Sequence, residues 1–216
     1  MANSAALKHL RGADPALGRL IDSVGPFAMQ RQAASSTFAA LAEAITYQQL
    51  NGRAASAIFG RVRALLPEFT AAAFLALTDE QLRGAGLSQA KVLSLRDLAL
   101  KSAQGEVPTL EEAAGLSDEE IIERLSHVRG IGRWTAQMFL MFRLGRPDVL
   151  PADDYGIRRG FSIAFGLAAL PSPKELLAYG ERWAPYRSTA SWYLWRAATE
   201  VPLAQAASGT NASSAE

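Results

Sequence analysis

The stretch Leu125–Ala136, LSHVRGIGRWTA, constrains the fold more than any other part of the sequence. One helical pattern ends at Gly130 and another begins at Arg133, so Gly130-Ile131-Gly132 has to join two helices by a tight turn. Glycine lets the backbone of such a turn adopt positive φ and lets a ligand approach it closely. The first amide groups of the second helix are unpaired and partially positive, so the turn can hold one phosphate.

A plain connection between two helices would explain two glycines that stood alone. The longer pattern is more specific, because Val128 precedes the turn and Thr135-Ala136 follow it. A carboxylate, Asp154, comes later in PADDYGIRRG, at the expected start of another helix. The phosphate-binding turn and the carboxylate together indicate an enzyme that cuts a bond in DNA.

Helical patterns follow one another along almost the whole chain. Asp14-Pro15 has the form of an N-cap followed by proline, and Ser117 and Ser172 each begin a capping box. No alternating pattern of the strand type stands out, so we predict an all-α fold of two helical lobes with a cleft between them. The predicted helices are Ser36–Gln49, Arg53–Leu66, a short one from Thr78, Ser88–Ser102, one after Ser117, Arg133–Leu144, Asp154–Phe165, Ser172–Trp183 and Arg187–Glu200.

The same patterns suggest how the chain is divided. We predict one functional unit over residues 1–203, with lobe one at about 36–125. Lobe two is predicted at about 126–200, together with the N-terminal segment. Residues 204–216 are small and polar, which predicts a disordered tail.

Composition excludes several kinds of metal centre. The chain has no cysteine, which rules out disulfides, iron–sulfur clusters and thiolate zinc sites. Only two histidines are present, His9 and His127, and their spacing matches neither a catalytic nor a metal site. No apolar run approaches the roughly 20 residues that span a bilayer. We therefore expect a cytoplasmic protein with no membrane partner, and action on DNA would make it nucleoid-associated.

The net charge of +1 hides an uneven distribution. Residues 1–65 carry seven Lys or Arg against three Asp or Glu, and residues 127–196 carry ten against five. Residues 66–126 carry five against eleven. The turn and the early helices therefore lie in positive segments, as phosphate binding requires, although an ordinary solvated surface would look the same.

LSHVRGIGRWTA resembles the helix–hairpin–helix of the HhH-GPD DNA glycosylase superfamily. The alkylation-repair branch, the 3-methyladenine DNA glycosylase II type, is resembled more narrowly by AITYQQLNGRAA, GLSQAKVLSLRDLA, PADDYGIRRGF and ERWAPYRSTASWYLW. The resemblance covers about residues 35–200, and we expect a short form without the β-rich N-terminal domain of some members. It implies a monomeric enzyme that flips alkylated purines such as 3-methyladenine and 7-methylguanine out of double-stranded DNA and hydrolyses their N-glycosidic bonds.

The resemblance also selects one of two neighbouring acids. The catalytic acid of the family directly precedes the residue matched by Tyr155, which points to Asp154 and not Asp153. A carboxylate there would stabilise the oxocarbenium character that develops on the sugar. The alternative is that Asp154 is only an N-cap or pairs with Arg158 one turn later.

Aromatic side chains are expected to hold the extruded base. Trp134, Tyr155 and Trp195 fall on positions that line the pocket in the resembled family, and Met138 stands where another aromatic can occur. In lyase-competent members, a nucleophilic lysine stands at the position of Trp134, so this chain is predicted to use water and to have no lyase activity. Ordinary core packing is the alternative for each ring.

The remaining family positions imply contacts with DNA. Gln49 matches the residue that fills the gap left by the extruded base, with Gln48 and Leu50 beside it, although two glutamines can also simply end a helix. Backbone contacts are expected at the hairpin, where carbonyls can also hold a structural Na⁺ or K⁺. The expected DNA contacts there are Gly130, Gly132, Arg133, Thr135 and Ala136, and the expected cation ligands are the carbonyls of Ser126, Val128 and Ile131.

Other residues and functions receive less weight. Trp183 and Trp192 are expected to pack in the core, and Lys91 is expected to be a solvated helix lysine. One alternative function is a glycosylase of the same fold for deaminated or oxidised bases. Another is a non-catalytic module that uses the hairpin only to contact the DNA backbone.

Overall fold

The computed structural model describes residues 2–200, and within them the chain forms thirteen α-helices and no strand. The predicted all-α fold is thus confirmed. None of these helices is both long enough and apolar enough to cross a membrane. In chain order, α1 to α13 are Ala2–Ala13, Pro15–Val24, Thr37–Tyr47, Gly52–Ala64, Ala71–Leu75, Asp79–Gly84, Gln89–Ala103, Leu110–Gly115, Asp118–Ser126, Arg133–Phe139, Tyr155–Phe165, Pro173–Gly180 and Arg187–Glu200.

Side-chain caps explain where many of these helices begin. Asp14 accepts from the amides of Ala16 and Leu17, and the capping boxes predicted at Ser117 and Ser172 are both present. The predicted helix Arg133–Leu144 is α10 followed by a π-helical segment, Leu140–Leu144. The sequence pattern misses α1, α5 and α8; the last two have five and six residues, too few to show a 3.6-residue period.

Contacts divide the chain into two units. We call residues 31–145 the central unit, and residues up to Gln30 together with those from Arg146 onward the terminal unit. The hairpin therefore groups with the residues before it, whereas the predicted boundary near 126 placed it with those after it. The reason is that Gln48, the C-cap of α3, and the side chains of Asp97 and Lys101 on α7 hydrogen-bond to the backbone of the hairpin. The predicted tail, 204–216, lies outside the described residues.

The terminal unit is built on a close approach of α11 and α13. Gly160 of α11 faces the backbone of α13, where an added Cβ would lie 1.8 Å from the carbonyl oxygen of Leu194. Trp183 is fully buried in the same core, and its indole Nε1 lies 3.4 Å from Asp14 Oδ2. The core role expected for Trp183 is confirmed. Trp192 is half-buried and packs edge-on against Phe27 at 5.1 Å between ring centroids, which also agrees with core packing.

Candidate functional site

The hairpin turn needs one of its two glycines for the fold itself. Gly130 has φ +80°, and an added Cβ would lie 2.8 Å from Ser94 Oγ of α7. Gly132 has an ordinary φ of −98°, and an added Cβ there would meet nothing within 4 Å. The fold therefore does not require glycine at 132. A ligand that comes close to the backbone at the start of α10 would require it, because a side chain there would stand in its way.

The side chains at the start of α10 differ in what they can offer a ligand. The guanidinium of Arg133 forms a bidentate ion pair with Glu119, at 2.7 and 2.9 Å, on the exposed surface. Such a pair contributes little stability and can exchange for a phosphate. Thr135 is buried, and Ala136 is fully buried with its amide donating to the carbonyl of Gly132. The placement of Ala136 therefore does not support its predicted contact with DNA, because both its amide and its side chain are engaged inside the protein.

Two charged side chains of helix α7 bind the backbone of the hairpin. Asp97 accepts from the backbone amide of Arg129 at 2.7 Å, and Lys101 donates to the carbonyl of His127 at 2.6 Å and to Asp97 at 2.9 Å. Burial opposes ionisation of Asp97, but the Arg129 amide and the Lys101 ammonium outweigh it and lower the pKa of the carboxyl group. Sequence reasoning missed this support, because no local pattern links α7 to a turn 30 residues later.

Replacing Asp97 with asparagine is expected to destabilise the protein by about 1.5 kcal/mol at pH 7, the usual contribution of a hydrogen bond to a charged group. A carboxyl group whose pKa is lowered by folding stabilises the fold above its unfolded pKa and loses that effect as pH falls through its folded pKa. The stability gap between Asp97→Asn and the parent protein should therefore shrink between pH 5 and pH 3. Thermal unfolding at both pH values measures the gap, and a gap independent of pH would contradict the role given to the Asp97 charge.

Gln48–Leu50, the residues predicted to fill the gap left by the base and here called the plug segment, follow the end of α3 and have an unusual backbone. Gln49 has φ +58°, and among the described residues it is the one non-glycine with positive φ. Gln48 is the C-cap of α3, and its side-chain amide donates to the carbonyl of Gly130 at 2.9 Å. Leu50 is exposed, and Asn51 then caps α4 by accepting from the amide of Ala54. Gln48 thus ties the plug segment to the hairpin, and Gln49 and Leu50 remain as the candidates for insertion.

Lys91 does not behave as the predicted solvated lysine. Its ammonium donates to the carbonyl of Gln48 at 2.8 Å and also to that of Thr46, both at the C-terminal end of α3. These carbonyls lack helical partners and carry partial negative charge, so they attract a cation. Burial lowers the pKa of Lys91 because it disfavours the charged form. The prediction was wrong because the partners of Lys91 are more than 40 residues away in sequence.

The central unit also contains a cavity of about 240 Å³. Met138 and Thr135 of α10 and Tyr47 and Glu43 of α3 contribute to its wall. Glu43 is paired with Arg143 at 2.6 Å. Met138, which was predicted to line a pocket, thus lines this cavity. Trp134, on the same helix, has almost half of its surface exposed to solvent.

The terminal unit brings two predicted site residues into direct contact. Asp154 is the N-cap of α11, and its Oδ1 accepts from the amide of Ile157 and from the indole Nε1 of Trp195, both at 2.9 Å. The two donors come from different helices and fix the orientation of the carboxylate. Asp154 is thus an N-cap, as the alternative stated. Capping requires only a bond to an amide of the same helix, so the bond from the Trp195 indole is an additional contact. Arg158 donates to the carbonyl of Pro171 at 2.7 Å.

The residues beside Asp154 leave it accessible. An added Cβ at Gly156 would lie 3.0 Å from both Asp154 Oδ1 and Trp195 Cδ1, so glycine there makes room for their bond. Tyr155 is 63% exposed and Asp153 is exposed, and Asp154 itself is half-buried, so solvent reaches part of its side chain. The large exposure of Tyr155 argues against core packing for this ring. The result is a held carboxylate flanked by an exposed aromatic ring.

The structure also bears on the predicted cation ligands. The carbonyl of Val128 accepts from the amide of Ile131 at 3.0 Å, but a carbonyl oxygen has two lone pairs and can bind a cation as well. Backbone oxygens are hard donors of the kind that alkali cations take, so the donor chemistry of the three carbonyls suits such an ion, and the cation site stays a prediction. No cluster of three acidic or histidine side chains suited to a metal occurs in residues 2–200.

Comparison with known proteins agrees with the fold and identifies the family. The sequence profile of the HhH-GPD superfamily of base excision DNA repair proteins matches residues 42–185. DNA-3-methyladenine glycosylase 1 of Schizosaccharomyces pombe is 40% identical over 192 residues, which are 87% of this chain and 84% of that protein.

Two solved structures are similar over nearly their whole length. One is the S. pombe 3-methyladenine DNA glycosylase in complex with abasic DNA, with TM-score 0.78 and 39% identity over 89% of this chain and 95% of that one. The other is a DNA-3-methyladenine glycosidase from Bacillus halodurans, with TM-score 0.83 and 35% identity over 90% and 89%. The resemblance seen in the sequence is confirmed: the chain belongs to the HhH-GPD superfamily of base excision DNA repair proteins.

Proposed function

We propose that this protein is a monofunctional DNA glycosylase that removes alkylated purines from double-stranded DNA. The observation that carries the proposal is the carboxylate of Asp154, held by the Trp195 indole at 2.9 Å at the start of α11. Relatives named as 3-methyladenine DNA glycosylases, one of them solved with abasic DNA, support the substrate class.

The chemistry requires one well-placed negative charge. An alkylated purine carries positive charge and leaves readily, so bond breaking leaves oxocarbenium character on the sugar. The Asp154 carboxylate stabilises that charge and orients the attacking water, and the products are the free base and an abasic site. An electron-rich ring such as that of Tyr155 attracts a cationic purine by a cation–π interaction.

Residue 134 supports hydrolysis over lyase chemistry. An indole has no amine that could attack the sugar, and Trp134 stands where lyase-competent members are expected to have lysine. The hairpin turn binds the DNA backbone, and the plug segment fills the gap left by the extruded base. A structural Na⁺ or K⁺ held by the carbonyls of Ser126, Val128 and Ile131 would add positive charge beside the bound phosphate.

The proposal is tested with duplexes containing methylated purines, uracil or 8-oxoguanine, and incubations without protein correct for spontaneous base loss. We expect release from the methylated duplexes, a strand that stays intact until alkali is added, and no covalent complex on borohydride reduction. Release only from the uracil or 8-oxoguanine duplex would favour the other branch of the fold. Absence of release from every duplex would favour a non-catalytic DNA-binding protein, and strand cleavage without alkali would contradict the monofunctional assignment.

A further inference from the structure

The backbone around Gln49 is held at two points just before that residue. Lys91 binds the carbonyls of Thr46 and Gln48, and the side chain of Gln48 binds the carbonyl of Gly130. Two of these three bonds involve Gln48 and the third holds the carbonyl of Thr46. Gln49 follows with φ +58°. A non-glycine residue keeps a left-handed conformation only when its surroundings impose it.

Lys91 is suited to impose that conformation. It belongs to α7, a helix of 15 residues that also carries Ser94, Asp97 and Lys101 against the hairpin. The ammonium satisfies two carbonyls that α3 leaves unpaired, and α3 in turn packs on α7. Without the ammonium, these two carbonyls would turn toward water, and the peptide between Gln48 and Gln49 would lose its main-chain bond to α7. The turn would then depend on the longer bond from the Leu50 amide to the Tyr47 carbonyl, at 3.3 Å.

We infer that Lys91 is a positioning residue that presents Gln49 for insertion into the DNA base stack. The inference rests on the proposed function, because it assumes that the protein opens a gap in the stack. Lys91 acts here through the backbone of the plug segment and does not itself contact the reacting atoms. Its loss should therefore weaken recognition of a gap in the duplex and leave general attraction to the duplex intact.

The test compares affinity for two duplexes, one intact and one with a tetrahydrofuran abasic-site analogue, neither of which requires base release. The wild type should prefer the gapped duplex. Lys91→Met, which keeps most of the unbranched apolar stem, should reduce that preference about tenfold, the loss expected when a hydrogen-bonded charge is removed. Lys91→Arg, which keeps the cation, should restore most of it, and Lys174→Met on the exposed face of α12 controls for the lost charge.

A second comparison remains informative if Lys91→Met folds poorly. Lys91→Gln keeps a polar donor and removes the charge, so it should lower the preference for the gapped duplex when Gln49 is present. Gln49→Gly already lacks the plug side chain and the preference, so Lys91→Gln should add no further loss in that background. An equal drop in affinity for both duplexes, or no change in either, would overturn the inference. Failure of the wild type to release any base would count against the proposed function alone, since the affinity ratio is measured without catalysis.

Discussion

Replacing Asp154 with asparagine is expected to lower the rate of base release by about 10²–10³-fold, the usual effect of removing one electrostatic contact to a transition state. Asparagine is as good an N-cap as aspartate, and its amide oxygen can still accept from Ile157 and Trp195. The substitution thus keeps the hydrogen bonds of the cap and removes the negative charge. Affinity for an abasic duplex and the unfolding temperature should both stay close to those of the parent.

The neighbouring acid provides the matched control for this experiment. Asp153→Asn makes the same change of charge one residue earlier, on an exposed side chain, and should leave the rate of base release nearly unchanged. Single-turnover release of a methylated purine, measured for both variants, separates the two carboxylates. Full activity in Asp154→Asn together with loss in Asp153→Asn would show that the wrong acid has been assigned.

Replacing Gly160 with alanine is expected to have the largest effect on stability. The new methyl group would lie 1.8 Å from the Leu194 carbonyl oxygen, which is backbone and cannot move aside as a side chain can. Helices α11 and α13 would have to separate, at a cost of at least about 3 kcal/mol, or roughly 10 °C in Tm. Because Asp154 caps α11 and Trp195 follows Leu194 on α13, separation would also weaken the bond between carboxylate and indole.

Gly12→Ala is the matched control for the alanine substitution at 160. Gly12 lies in α1 of the same unit, and an added Cβ there would meet nothing within 4 Å. Alanine should be neutral there or stabilise the helix by up to about 1 kcal/mol. Thermal unfolding and base release measured side by side test both expectations, and a Gly160→Ala protein as stable as the parent would show that the helices can move apart freely.

Local signals in the sequence predicted much of this fold. A side-chain oxygen placed before a helical run has a short-range effect, so the caps at Asp14, Ser117 and Ser172 were predicted correctly. The tight turn of the hairpin was also predicted, because positive φ at Gly130 depends on the turn itself and not on distant residues. Short helices such as α5, AAAFL, escaped prediction because five mostly apolar residues have no period.

Contacts between distant residues could not be predicted from the sequence. Lys91, Asp97 and Lys101 look like ordinary surface charges on a helix, and their partners become visible only when α7 is placed against α3 and the hairpin. Trp195 was predicted as a wall of the base pocket, and its bond to Asp154 gives it a second task. The sequence thus suggested which residues to consider for the site, whereas the hydrogen bonds that orient them are visible only in the structure.

The two units are completed at different times during synthesis of the chain. The central unit is one continuous segment, 31–145, whereas the terminal unit takes residues from both ends of the chain. On the ribosome, the hairpin and its supporting helix α7 are therefore made before α13 exists, and domains generally fold in the order in which they are synthesised. Trp195, the partner of Asp154, is among the last of the described residues to be added. The hydrogen bond that orients the carboxylate therefore cannot form until nearly all of the described residues have been synthesised.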